Sequence, residues 1–191
     1  MYNYTLSTII GFVAMVFAMS SYFVKKKSIF LMAQAGAILS LAFSCLFIVQ
    51  YYAVVSYVLG LIRVGVFYLY ERKGKTAPNL WIAIFVGLYM LFYVVVNILI
   101  LQKFNTLDIL LLVANVFFTV AFSIRNLIIL RYVFLLPLAI STVYYLLVPG
   151  GSLFVIISYT FELCANLLAI ICNSKFFYMY VNKRKERLKK K

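Results

Sequence analysis

Seven stretches of mainly apolar residues, each closed by a short polar break, dominate this chain of 191 residues. About 20 such residues make a helix long enough to cross the ~30 Å hydrocarbon core of a bilayer. The stretches run near Leu6 to Val24, Ser28 to Val49, Ala53 to Tyr70, Leu80 to Leu101, Leu107 to Ile124, Leu127 to Val148 and Ser152 to Phe176. Backbone groups in lipid must bond within their own segment, and the runs lack the alternation of barrel strands, so helices are the expected form. The chain is 66% hydrophobic and 12% charged. A soluble domain is nearer half and a quarter, so little mass is expected outside the membrane. The first span has no basic residue before it and no small-residue cleavage site after it. Lys25, Lys26 and Lys27 follow, and it reads as a retained helix rather than a signal peptide.

The loops alternate in charge. Lys25 to Lys27, the "ERKGK" run from Glu71 to Lys75, Arg125 and the tail "NKRKERLKKK" from Asn182 fall on one side. The N-terminus, Gln50 to Tyr52, the loop with Lys103 and Asp108, and Pro149 to Gly151 fall on the other. Basic residues in short loops stay cytoplasmic, which gives a multi-pass chain with its N-terminus outside and its C-terminus inside. The net charge of +14 then follows from topology. The tail has no recognition motif for nucleic acid; it reads as a topology anchor that also meets anionic lipid headgroups, at about 1 kcal/mol per basic residue.

Sliding the chain against itself by 102 positions sets Ser56 on Ser158, Tyr57 on Tyr159, Leu61 on Leu163, Ala37 and Ile38 on Ala139 and Ile140, and Ser21 on Ser123. Spans one to three then repeat as spans five to seven in the same orientation, which requires a single helix between them. The expected fold is an all-α membrane protein of seven transmembrane helices in a 3+1+3 arrangement. Residues 1–76 form a first three-helix bundle, 77–104 a linker helix, 105–181 a second bundle and 182–191 the basic tail.

Two charges interrupt the third and seventh spans. Arg63 lies ~17 Å of helix beyond Tyr52, and Glu162 lies ~15 Å beyond Ser152. Charges inside a membrane are costly unless they face a bundle interior or water. Glu162 occupies the repeat position of Gly60, one turn from Arg63, so the two are expected to pair, directly or through water, between the halves. Ser56 and Gly60 share the face of Arg63, and Ser158, Tyr159 and Asn166 share the face of Glu162. Two readings remain open. One is a buried polar seam that fixes how the halves pack. The other is a central cavity where these groups contact a small polar or anionic solute.

Chemistry by side-chain nucleophile, metal or acid–base pair is disfavoured: there is no histidine, and the chain has four carboxylates. No cofactor or metal is expected, and the chain does not read as an enzyme. Cys45, Cys164 and Cys172 lie in apolar runs without ligand spacing and read as packing residues. Gln34 sits beside the small residues Ala33, Ala37, Ser40 and Ser44, a stripe that suits close helix packing. Pro137 suggests a kink, Arg131 a side chain snorkelling to the nearby interface, and Trp81 an interfacial anchor. Asn115 and Thr119, one turn apart, suit either the cavity or a bond across helices.

The stretch "QYYAVVSYVLGLIRVGVFY", Gln50 to Tyr68, resembles the bacterial inner-membrane proteins of the YgjV type, where an Ile-Arg pair follows a serine-containing turn in the third span. Ile62 and Arg63 look like that pair, and the resemblance supplies no activity. The 3+1+3 pattern is more distantly similar to SWEET, PQ-loop and PnuC-type transporters. The chain departs from them: it has no Pro-Gln dipeptide, and its single tryptophan falls short of an aromatic vitamin pocket. The similarity implies a small-solute transporter or facilitator working by alternating access; on the reading of the residues themselves, Arg63 would draw the solute and Glu162 would neutralise Arg63 in the empty site. Ser56, Ser158 and Asn166 would add polar contacts. The other reading is a non-transporting interaction or sensor protein that works through its basic tail.

Overall fold

The computed structural model describes residues 4–47, 51–95, 106–147 and 153–189, of which 4, 51–52, 106, 108, 153–154 and 174–189 as backbone. The expected loops at Gln50, Lys103 and Pro149 to Gly151 lie outside these residues. Seven helices form among them: α1 (Tyr4–Ser21), α2 (Lys27–Phe47), α3 (Tyr51–Arg72), α4 (Asn79–Val94), α5 (Thr106–Ser123), α6 (Leu127–Leu147) and α7 (Leu153–Lys189). By length and apolar composition, α2, α3, α6 and the Val155–Asn173 part of α7 suffice to cross a membrane, while α1, α4 and α5 are shorter apolar helices. α7 runs through Asn182 into the basic tail without a break, because no glycine or proline interrupts 153–189.

Local sequence explains the helix ends. α3 stops at Gly74, whose φ of 67° is the left-handed conformation that glycine adopts without steric cost. The Gly74 amide donates to the Glu71 carbonyl at 3.0 Å and the Lys75 amide to the Tyr70 carbonyl at 3.0 Å, which satisfies carbonyls the helix leaves free. α6 starts at Asn126, whose Oδ1 accepts the Ile128 amide at 2.9 Å. α6 continues through Pro137.

Some helix ends share the 102-residue spacing, while α2 and α6 are offset by 100. Both ends of α1 and α5 fall 102 residues apart, and so do the starts of α3 and α7. At the close of α1 the Ser21 hydroxyl donates to the Ala18 carbonyl at 2.6 Å, and at the close of α5 Ser123 donates to Val120 at 2.6 Å.

Packing follows a ring. α1 packs on α2, α2 on α3, α5 on α6, α6 on α7, and α7 back on α1. The remaining seam, α3 against α5, is looser, and α4 covers α5 beside it. The outer surface is apolar: Ile9, Phe12, Met32, Ile62 and Leu168 are all more than half exposed. A soluble monomer rarely shows so large a contiguous apolar surface, but in lipid it costs nothing. The interior is polar in places and aromatic in others. Tyr22, Phe30, Phe67, Phe85, Phe122 and Phe134 are fully buried in one cluster. Phe134 is its hub, with ring centroids 5.7 Å from Phe30, 5.1 Å from Phe122 and 4.9 Å from Phe118. Cys45 is buried, while Cys164 and Cys172 face outward.

The basic loops between α1 and α2, α3 and α4, and α5 and α6 gather at one end. Lys27 pairs with Glu71 at 3.4 Å, and these two share a small crevice with Lys75 and Arg125. Arg131 differs from the expected snorkelling side chain. It is buried between α6 and the α1–α2 loop, where its Nη2 donates to the Val24 carbonyl at 2.7 Å. A carbonyl left free past the end of α1 offers the guanidinium a nearer partner than water.

Candidate central cavity

The ring encloses a cavity of about 60 Å3 between the α1–α3 and α5–α7 segments, lined from α2, α3, α5, α6 and α7. Ser56, Gly60 and Arg63 reach it from α3, and Tyr159 and Glu162 from α7. Adjacent Ile62 and Arg63 show how the helix sorts them: Ile62 is 52% exposed on the outer face and Arg63 is 3% exposed on the inner one.

Arg63 and Glu162 face the same cavity without pairing, which corrects the expected direct ion pair. Arg63 Nη1 donates to the Asn115 carbonyl at 2.9 Å and to Thr119 Oγ1 at 3.1 Å, both on α5. The guanidinium also lies over the rings of Tyr89, Phe122 and Phe118, at 5.2, 5.3 and 5.7 Å from their centroids. Glu162 Oε1 accepts from the Tyr22 hydroxyl at 2.8 Å and from Gln34 Nε2 at 2.9 Å, and Gln34 Nε2 also reaches Ser21 Oγ at 3.0 Å. The cause is the order of helices around the ring. α3 borders α5 and α7 borders α1, so each charge ties down the seam next to its own helix. These are the two seams where the halves meet, and a helical repeat fixes depth without fixing position around the ring.

Both charges keep unused hydrogen-bonding capacity. Arg63 Nε is buried with no acceptor. Among the described residues, both side-chain donors to Glu162 converge on Oε1, which leaves Oε2 toward the cavity. Buried polar groups are seldom left this way without a role or a bound water. The volume has room for a few waters and is well short of the ~150 Å3 that admits a benzene ring. A solute larger than a few heavy atoms therefore enters only if the walls move.

Aromatic layers bracket the cavity along the helix axes. Toward the basic loops lie Phe118, Phe122 and Phe134. Toward the other end lie three tyrosines: the Tyr57 and Tyr145 hydroxyls are 3.3 Å apart, and the Tyr145 and Tyr159 rings stack at 5.3 Å. Tyr57 and Tyr159, the repeat partners, thus meet one residue of α6.

Two expected site residues fall outside the cavity. Asn166 is fully buried, but its Nδ2 donates to the Arg131 carbonyl at 3.0 Å. That position is one turn past Glu162 and level with Arg131, below the Phe134 layer. Ser158 is buried with no partner for Oγ and does not line the cavity. It sits about 100° round α7 from Tyr159. Three residues that join the site were not expected there. Gln34 belongs by sequence to a stripe that suits packing, and Tyr22 and Tyr89 carry no sign in the sequence. Gln34 is the one amide in α2, which was the available signal.

A ring of helices with apolar side chains outward and buried charges around an inner cavity is the architecture of a multi-pass membrane protein. The chain belongs to the Imp-YgjV family, described as a bacterial inner membrane protein, whose family model matches residues 5–175. No curated protein and no solved structure matches it.

Proposed function

We propose that this protein is a small-solute transporter or facilitator that works by alternating access, with α1–α3 and α5–α7 as the two moving bundles and α4 as the linker. The observation that carries the reading is the placement of Arg63 and Glu162. Each faces the cavity with hydrogen-bonding capacity unused, and each is tied across a different seam between the halves. A solute group that engages either charge competes with the bonds that hold a seam shut, so binding and opening are linked. The Tyr57–Tyr145 layer serves as the gate on one side and the Phe118, Phe122 and Phe134 layer as the gate on the other. Arg63 favours an anionic or hydrogen-bond-accepting solute group, with Ser56 beside it. The basic loops gathered at one end support a cytoplasmic placement of that end and an N-terminus outside.

The test is uptake by reconstituted vesicles over a panel of small polar and anionic solutes. A flux lost in folded Arg63→Ala or Glu162→Gln protein supports the site; normal flux in both rejects it.

A second reading has one observation in its favour. α7 continues as helix from Asn173 to Lys189, ~24 Å past its apolar segment, and carries the basic tail as a projecting rod. In that reading the protein is a membrane interaction or sensor protein recognising a partner or anionic lipid. Deleting Lys183 to Lys191 separates the two: a transporter keeps its flux, and an adaptor loses its partner.

A further inference from the structure

A second recess, of about 400 Å3, opens at the basic-loop end between the α1–α2 loop, the first turn of α6 and α7. Its size falls within the ~300–1,000 Å3 range of ligand clefts, and it is separate from the central cavity. Three features of its lining have the same sign. Lys25 stands exposed at its edge. The first turn of α6, Leu127 and Ile128 behind the Asn126 cap, brings the positive end of a 21-residue helix. Arg131, 4% exposed, lies in the wall with its Nη2 on the Val24 carbonyl and its Nε buried without any acceptor. Asn173 adds an amide, and among the described residues no carboxylate lines the recess.

A guanidinium that has left water and spends a single hydrogen bond on protein is poorly compensated, and the planar guanidinium fork matches a phosphate better than a lone carbonyl. The rim supplies a second clue. Phe23 is 63% exposed and Ile128 is 47% exposed, so the recess opens onto the apolar outer surface as well as onto the loops. We propose that this recess binds a phosphate group, presented by an anionic phospholipid whose headgroup enters between Lys25 and Arg131 while its chains lie along Phe23 and Ile128. Basic pockets between transmembrane helices suit such headgroups. The bound lipid would bridge the α1–α2 loop to α6 and α7, and so join the two halves at this end. The site stands independently of transport.

Purified full-length protein in detergent provides the test, read by thermal unfolding and by native mass spectrometry with phosphatidylglycerol, phosphatidylcholine or inorganic phosphate. Arg131→Ala removes a buried contact to the Val24 carbonyl and risks the fold, so the informative variant is Lys25→Ala, with Lys73→Ala as a charge-matched control. Lys73 is exposed and lies outside the recess lining. Phosphatidylglycerol is expected to stay bound and raise the melting temperature where phosphatidylcholine does not. Lys25→Ala should weaken it about five-fold, the equivalent of ~1 kcal/mol for one basic residue, and Lys73→Ala should leave it unchanged. Inorganic phosphate that stabilises the wild-type protein and loses its effect in Lys25→Ala keeps the phosphate site and assigns it to a soluble ligand. Equal binding of the two lipids with no phosphate effect, or equal weakening by the two lysine variants, overturns the proposal.

Discussion

Arg63 and Glu162 face one cavity from opposite seams of a helical ring, and no ion pair joins them. Arg63 is held by Asn115 and Thr119 of α5, and Glu162 by Tyr22 and Gln34 beside α1 and within α2. Groups coupled only through a shared cavity show interaction energies of about 0.5–3 kcal/mol, below what a directly bonded buried ion pair loses when one partner goes. A double-mutant cycle with Arg63→Met and Glu162→Gln, read by unfolding in detergent, is expected to give a coupling of about 1 kcal/mol. A coupling above ~3 kcal/mol would mean that the two charges pair directly after all.

Arg63→Met separates a structural role from a functional one. A buried charge with no ion-pair partner carries a desolvation cost that an apolar side chain of similar volume avoids. Here the Asn115 carbonyl keeps a donor, because Thr119 Oγ1 bonds to it at 2.8 Å. The variant should unfold no earlier than the wild-type protein and should lose solute flux. A loss of more than ~2 kcal/mol in stability with flux retained would assign Arg63 to packing alone.

Gly60→Ala narrows the cavity with little strain. A methyl group there would meet Tyr89 Oη at 3.6 Å, Ile38 at 3.7 Å and Arg63 Nη2 at 3.8 Å, all ordinary contacts. Exchanging glycine for alanine inside a helix gains up to ~1 kcal/mol. Unchanged or raised stability together with reduced flux is expected; unchanged flux would place the solute path elsewhere.

How much of this the sequence shows depends on the range of the signal. Helix placement rests on runs of apolar residues, and α1 to α7 fall where those runs lie. The 102-residue repeat set Tyr57 against Tyr159, and the structure brings both to Tyr145. Lateral position was not legible. Nothing in a one-dimensional register says that α3 borders α5 while α7 borders α1, and the direct form of the expected Arg63–Glu162 pair is absent for that reason. Asn166 failed at shorter range: a helix face predicts direction, but the Phe134 layer ends the cavity before the stripe reaches Asn166. Beside Gln34 the small residues offer a sufficient packing explanation, and Tyr22, the other donor to Glu162, falls just past the end of α1, inside a run that reads as continuous helix to Val24.

Tyr57→Phe removes the hydroxyl that meets Tyr145 at 3.3 Å. Hydrogen bonds between membrane helices average about 0.6 kcal/mol, so the fold is expected to survive and the layer to open more often. Faster equilibration of a transported solute would show this, and an unchanged rate would remove the tyrosines from the gate.

Phe134→Ala should cost 3–5 kcal/mol, the usual range for a buried phenylalanine, because Phe30, Phe118 and Phe122 all pack against its ring. Equilibrium unfolding measures this directly, and a cost below ~1 kcal/mol would show that the aromatic layer repacks freely.

Alternating access can be tested without knowing the solute. In a variant with Cys45, Cys164 and Cys172 replaced, Ser56→Cys puts one thiol on the cavity wall, to be probed with a membrane-impermeant maleimide from each face of oriented vesicles. Labelling from both faces is the result expected of a cavity that opens to each side in turn. Labelling from one face only, or from neither, would contradict it and leave the ring as a static scaffold.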